Sequence, residues 1–339
     1  LVVGSRPPAI PANPGLSDTA QTDTTPPEPS VLAEGVSERV PGFQAALLVA
    51  LRTPQSGTDL LVWPSEGEAY RQPLPAGIGR VTFDVNGRWV AATVPIEREG
   101  SATLYAGTRV RVFPAAGRVT SFAWHSAEPG RLAFVNDGGR PMLLAGSPLG
   151  PYSTVTEVLD GEEVVAWGDG WYVLEGGDAL RVLGGNGVEV WSGPGPFVAA
   201  APDGRVLVRR GLMPVVVDPL TGGRVELGTV AADRWYAAFS PDGRRLAVVV
   251  DDPGSPPFLA SLTMGAGDVS VGTPLRGTLP QWTPDGRFIL VVDPIPGAVT
   301  VLDATGGVLA VLELHEPVSA VGVRPWAAEA VVAPLVGCL

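Results

Sequence analysis

Phe239-Ser-Pro-Asp-Gly-Arg-Arg-Leu-Ala-Val-Val-Val250 packs an aromatic residue, a tight turn and an apolar run into one short stretch. Pro presets φ, Asp bonds its own backbone and Gly accepts the left-handed position, so Pro-Asp-Gly closes a turn between two strands. The aromatic residue ends the first strand, and the β-branched run forms the second. An unbroken run such as Leu246–Val250 fits a strand covered on both faces.

The stretch recurs. Trp282-Thr-Pro-Asp-Gly-Arg-Phe-Ile-Leu-Val-Val292 and Ala200-Ala-Pro-Asp-Gly-Arg-Val-Leu-Val208 are close copies. Weaker ones are Phe83-Asp-Val-Asn-Gly-Arg-Trp-Val-Ala-Ala92, Trp124-His-Ser-Ala-Glu-Pro-Gly-Arg-Leu-Ala-Phe134, Trp167-Gly-Asp-Gly-Trp-Tyr-Val173 and Val40-Pro-Gly-Phe-Gln-Ala-Ala-Leu-Leu-Val49. The turn residues are Gly42, Gly87, Gly130, Gly170, Asp203 with Gly204, Asp242 with Gly243, and Asp285 with Gly286. These glycines are spaced 45, 43, 40, 34, 39 and 43 residues apart, the period of a four-stranded propeller blade. A third strand follows each run (Ala102–Ala106, Pro141–Ala145, Phe258–Leu262, Val299–Leu302). A shorter fourth comes next (Arg109–Phe113, Gly187–Trp191, Arg224–Leu227, Val308–Leu312).

Six complete copies fill the chain from about residue 78 to 317. Val318–Val323 reads as a further innermost strand, and Ala45–Leu51, Asp59–Trp63 and Ala69–Leu74 read as strands two to four of the same blade. Joining them closes the ring and removes the open sheet edge. The expectation is an all-β propeller of seven four-stranded blades over residues 41–339, with a composite N/C-terminal closing blade. Glu329–Ala333 competes for the place of Ala45–Leu51, which keeps eight blades open.

Residues 1–40 read as an extended arm, either a linker or a strap that docks on a neighbour. Pro7, Pro8, Pro11, Pro14, Pro26, Pro27 and Pro29 lie among Ser, Thr, Asp and Gln, a composition that buries too little surface to offset its ordering entropy. The apolar Leu1–Gly4 reads as the stub of a signal peptide, of a membrane anchor, or as an artificial boundary.

Composition narrows the partners. The formal net charge is −12 and every one of the 23 basic residues is Arg, which argues against a nucleic-acid partner and a polybasic membrane patch. Membrane contact is expected only through an anchor preceding Leu1. The single cysteine, Cys338, allows no internal disulfide.

These repeats resemble the WD40-like Pro-Asp repeat, the blade unit of TolB-type propellers. The blades around Asp203, Asp242 and Asp285 match the family pattern; those around Gly130 and Gly170 have lost the Pro-Asp pair. The resemblance implies a bacterial, extracytoplasmic cell-envelope protein, periplasmic or at the cell surface. It also implies protein–protein binding through the rims or central funnel.

Chemistry is sparse. Only His125 and His315 exist, too few for a His-rich metal site, and both read as structural or surface residues. No nucleophile elbow or phosphate-binding loop is present. Asp251-Asp252, Glu162-Glu163 and Asn136-Asp137 lack calcium-loop spacing. No catalytic residue, metal or cofactor is expected. Trp124, Trp167 and Trp282 read as core. Trp63, Trp191 and Trp235 at strand ends, with Trp326 on the last turn, are the candidate partner anchors. The expected function is a non-enzymatic scaffold that docks another protein, part of a multi-subunit membrane or surface assembly. The alternatives are a ligand- or carbohydrate-binding sensor, and a lyase or hydrolase using funnel carboxylates.

Overall fold

The computed structural model of the chain describes residues 30–31, 45–52, 58–63, 69–74, 81–87, 89–93, 102–106, 109–112, 118–137, 140–147, 151–228, 232, 234–251, 256–264, 269–275, 277–295, 297–314 and 316–325. Gly42, His315, Trp326, Cys338, the competing segment Glu329–Ala333 and the arm other than Ser30 and Val31 lie outside them.

The described residues build seven sheets. Blade 1 joins the chain ends: Val318–Pro325 is innermost, followed outward by Ala45–Arg52, Thr58–Trp63 and Tyr70–Pro73. Blade 2 begins with Val81–Phe83 and Trp89–Thr93, blade 3 with Arg118–Trp124 and Leu132–Asp137, and blade 4 with Glu163–Gly168 and Trp171–Gly176. Blade 5 begins with Phe197–Ala200 and Val206–Arg210, blade 6 with Trp235–Phe239 and Arg245–Val250, and blade 7 with Leu279–Trp282 and Phe288–Asp293. Each of blades 2–7 adds two more antiparallel strands outward. The third and fourth strands expected from the sequence fall where the spacing put them, within three residues at the ends.

Ring closure follows the composite arrangement. Ala45–Arg52 pairs antiparallel with Val318–Pro325, Leu47 opposite Val323 and Val49 opposite Val321. Arg71 fastens the seam by binding both carboxylate oxygens of Glu316 at 2.8 and 3.0 Å. One element goes beyond the reading of residues 1–40 as a free arm. Ser30–Val31 pairs with Arg71 and Tyr70 and adds a fifth strand to the outer edge of blade 1.

The core lies between blades. Along Leu246–Val250, Leu246, Val248 and Val250 pack with Leu207 and Val216 of blade 5, while Ala247 and Val249 pack with Ile289 and Val291 of blade 7. Two-residue alternation thus feeds two separate interfaces from one strand, which is why the run carries no polar residue. Leu47, Val49 and Leu51 likewise pack on Leu290 and Val292 of blade 7, and Leu48 and Ala50 face Val81 and Val90 of blade 2. The outermost strands are wet; Arg224–Glu226 is exposed throughout.

The turns between the two inner strands all lie at one end of the ring. In blade 6 the Ser240 N–H donates to Arg245 O at 2.9 Å and the Gly243 N–H to Ser240 O at 2.8 Å. The Ser240 hydroxyl accepts from the Arg245 N–H at 2.9 Å and donates to Asp242 at 2.6 Å. Thr283 and Asp285 repeat this in blade 7. The arginine after the turn reaches the next blade: Arg205 Nη2 donates to Gly243 O at 2.6 Å, and Arg245 Nη2 to Gly286 O at 2.9 Å. Arg245 also lies 4.6 Å over the Trp282 ring, a cation–π contact between blades.

Candidate functional site

At the turn-bearing end, the inner strands of blades 2 to 5 line an open cavity of about 300 Å³. Its wall includes Thr82 and Phe83 from blade 2, Phe122, Trp124 and Ser126 from blade 3, Trp167 and Trp171 from blade 4, and Phe197 and Ala200 from blade 5. The lining contains six aromatic residues and no ionisable side chain.

The repeat explains the wall. Phe83, Trp124 and Trp167 hold the pre-turn position of their blades, as Phe239 and Trp282 do in blades 6 and 7. Blade 5 carries Ala200 at that position. A methyl group there leaves a gap beside the other rings.

The aromatic side chains are held from behind. Trp124 Nε1 donates to Thr82 O at 3.4 Å, tying blade 3 to blade 2. Trp167 stacks on Tyr172 with ring centroids 5.6 Å apart. In blade 4 the loss of Pro-Asp shortens the turn to Gly168-Asp169-Gly170, so Trp171 directly follows it. A Cβ on Gly168 would overlap the Trp171 ring; only glycine lets that indole pack there.

Three lining residues carry buried polar atoms without a hydrogen-bond partner: Thr82 Oγ1, Ser126 Oγ and Trp171 Nε1. Each such group costs about 1–3 kcal/mol while unpaired. Buried polar atoms are normally satisfied, but Trp235 Nε1 between blades 5 and 6 is unpartnered in the same way, so these atoms belong to the packing behind the wall.

His125 stands behind the wall, 2 % exposed. Its Nδ1 accepts the N–H groups of Ala127 at 3.2 Å and Glu128 at 2.9 Å, doing for the blade 3 turn what Ser240 and Thr283 do elsewhere. Nε2 lies 3.5 Å from Asp169 Oδ1. Burial holds the imidazole below its ordinary pKa, opposed by Glu128 and Asp169 and reinforced by Arg131. His125, Glu128 and Asp169 together form a metal-sized cluster, but its chemistry is wrong for a metal. With Nδ1 accepting two N–H donors, the neutral ring carries its proton on Nε2, and that nitrogen has no lone pair left to ligate. The acidic pairs have structural uses too: Glu162 is buried, accepts from the Leu159 N–H at 2.7 Å and binds Arg181 at 3.0 Å.

The sequence-level anchors lie elsewhere. Trp235 is 0 % exposed, sealed between blades 5 and 6 under Arg209. This corrects its assignment as a partner contact: a strand-start position is buried once the neighbouring blade covers it. Trp63 and Trp191 are half-buried against the core, neither lines the cavity, and Trp326 is outside the described residues. Trp167 is core as read, 3 % exposed, and Trp124 packs against the core; both also border the cavity. The missed signal was Ala200, a small residue where neighbouring blades carry rings.

Solved structures of other proteins share this architecture. A Lactobacillus plantarum protein is 16 % identical with a TM-score of 0.55, covering 83 % of this chain and 99 % of that one. The periplasmic gluconolactonase of Pseudomonas aeruginosa is 15 % identical with a TM-score of 0.54, again covering 83 % and 99 %. The WD40 domain of Toxoplasma gondii coronin is 9 % identical with a TM-score of 0.54, covering 71 % of each chain. The chain is a β-propeller. No family model and no curated protein matches the sequence, so the narrower Pro-Asp repeat family stays a resemblance.

The expectation of a non-enzymatic docking scaffold is corrected by these findings. The same fold at the same coverage carries a gluconolactonase in Pseudomonas aeruginosa, so the neighbours speak for an enzyme or ligand-binding propeller rather than a pure scaffold. The expectation that the chain is no enzyme falls with it. Among the described residues, no helix is long and apolar enough to cross a membrane.

Proposed function

We propose that the propeller binds a small uncharged ligand with apolar ring faces and hydroxyl or carbonyl groups, a neutral sugar or sugar lactone, in the cavity of blades 2 to 5. One observation carries the reading: a wall of six aromatic residues with no ionisable side chain, open beside Ala200. Aromatic faces cover the C–H surface of such a ring. An ionised ligand is disfavoured, because nothing in the lining offsets its desolvation. The cavity volume of about 300 Å³ suits a monosaccharide-sized guest. The gluconolactonase neighbour makes a sugar lactone a natural first probe. Its periplasmic setting accords with an extracytoplasmic location for this chain, which we propose alongside.

Ala200→Phe is the decisive variant. It restores the ring that the repeat carries in other blades and fills the gap. Calorimetric titration with D-glucose and glucono-1,5-lactone should show binding to the wild type and at least tenfold weaker binding to Ala200→Phe, with cooperative melting retained. Undiminished binding by the variant, or none by the wild type at millimolar ligand, would sink the proposal.

A further inference from the structure

We infer that His125 is a proton-operated latch on this cavity, releasing its wall, and with it the ligand, when Nδ1 takes up a proton. The inference rests on the reading of the cavity as a binding site.

The geometry has three parts. First, Nδ1 is committed as an acceptor to two backbone donors, the N–H groups of Ala127 and Glu128. A proton on Nδ1 would face both of them, while the far end of the turn stays held by the Gly130 N–H donating to Asp84 Oδ2 at 3.1 Å. Second, what the turn holds is cavity wall. The Ser126 N–H donates to Trp167 O at 2.9 Å, His125 and Trp167 form a β-bridge, and the imidazole meets the Trp167 ring edge-on at 4.8 Å. Ser126 and Trp167 both line the cavity. Third, blade 3 alone is built this way. The equivalent residues are Asp84, Ser240 and Thr283 in blades 2, 6 and 7, and each accepts a backbone N–H through an oxygen. The Ser240 and Thr283 hydroxyls do not titrate, whereas imidazole does between pH 5 and 8.

The groups facing His125 set the sense of the switch. From its own turn come Glu128 and Arg131, which pair with each other at 2.6 Å; from blade 4 comes Asp169 at 3.5 Å. The two carboxylates favour the imidazolium, while burial and the Arg131 guanidinium oppose it, and burial is the largest influence. Tyr172, behind Trp167, is held neutral across this range by its own burial. The latch is therefore closed at neutral pH and opens below the ordinary histidine value of 6.5. A ligand that needs the neutral form loses about tenfold in affinity per pH unit below that opening.

The test uses the full chain, whose two histidines make imidazole resonances assignable with His315→Gln. Between pH 7.5 and 4.5, the amides of Ala127 and Glu128 and the Trp167 indole should shift with the His125 midpoint. D-glucose binding, followed by calorimetry, should weaken at least tenfold over the same interval. His125→Asn keeps an acceptor, as Oδ1, but does not titrate; its pH profile should be flat in both measurements. A His125 that titrates without moving those amides or the indole overturns the latch, as does an unchanged pH step in His125→Asn. If D-glucose binds at no pH, the reading of the cavity falls, and the latch is decided by the amide and indole shifts alone.

Discussion

Blades 6 and 7 close their inner turns with a hydroxyl and an aspartate, Ser240 with Asp242 and Thr283 with Asp285. Blades 2 and 3 close theirs with Asp84 and His125, and blade 4 has a bare Gly168-Asp169-Gly170. The backbone outcome is the same: a positive-φ glycine at 243, 286, 87, 130 and 170 and two paired strands. The surroundings differ. In blades 6 and 7 the pre-turn rings, Phe239 and Trp282, are buried between blades. Phe83, Trp124 and Trp167 of blades 2 to 4 line the cavity together with Phe197 and Ala200 of blade 5, whose motif is intact.

The largest effect that sharpens this contrast is expected at Trp235. Trp235→Ala removes a fully buried indole between two regular blades and should cost about 3–5 kcal/mol in urea unfolding. Trp191→Ala, at a half-buried ring, should cost about 1–2 kcal/mol. Equal losses would contradict the burial on which the correction of Trp235 rests.

The turn glycines give the next effect. A Cβ on Gly87 would lie 2.8 Å from Val323 O and 2.9 Å from Leu48, both in the closing blade, while one on Gly286 would meet nothing nearer than 3.6 Å. Gly286→Ala should cost only the left-handed penalty, about 1–2 kcal/mol. Gly87→Ala adds overpacking against backbone, about 1–3 kcal/mol more. Thermal melting of the two variants measures the difference.

Much of this architecture was legible because turn chemistry and unbroken apolar runs are local signals. Pro241-Asp242-Gly243 sets its own turn, and Leu246–Val250 declares burial on both faces. Closure was legible because Val318–Val323 and Ala45–Leu51 each lacked the partner that the other supplies. The cavity was not, since its wall draws on residues from Thr82 to Ala200 in four blades, and no window of sequence holds them together. His125 was hidden for a related reason. A lone histidine in a turn says nothing of its acceptor role until the Ala127 and Glu128 amides are seen converging on Nδ1.

The inter-blade arginines should rank next. Arg245 donates to Gly286 O and Ala304 O and covers Trp282. Arg245→Met should therefore cost about 2 kcal/mol. Arg131 is exposed, pairs with Glu128 on its own turn and lies 5.0 Å over Trp167; Arg131→Met should cost under about 1 kcal/mol. Urea unfolding of both variants checks the order.

The smallest effect is in the pH dependence of the two kinds of turn. Asp242 is held below its ordinary 3.8 first by the Ser240 hydroxyl and then by the Arg244 N–H. A depressed carboxylate contributes stability that is present above 3.8 and is lost as pH falls through the lower folded value. His125 is depressed as well, by burial. Below 6.5 the unfolded chain binds the proton more readily, so this stability too is present above 6.5 and lost as pH falls. The two turns thus act with the same sign in separate windows. Melting temperatures followed from pH 8 to pH 3 should fall in two steps. His125→Asn should remove the upper step and leave the lower, and Asp242→Asn should weaken the lower step and leave the upper. Because Asp242 is exposed and solvent screens it, its step should be the shallower. A single acid transition unaffected by His125→Asn would mean that blade 3, despite its cavity, responds to protons no differently from the regular blades.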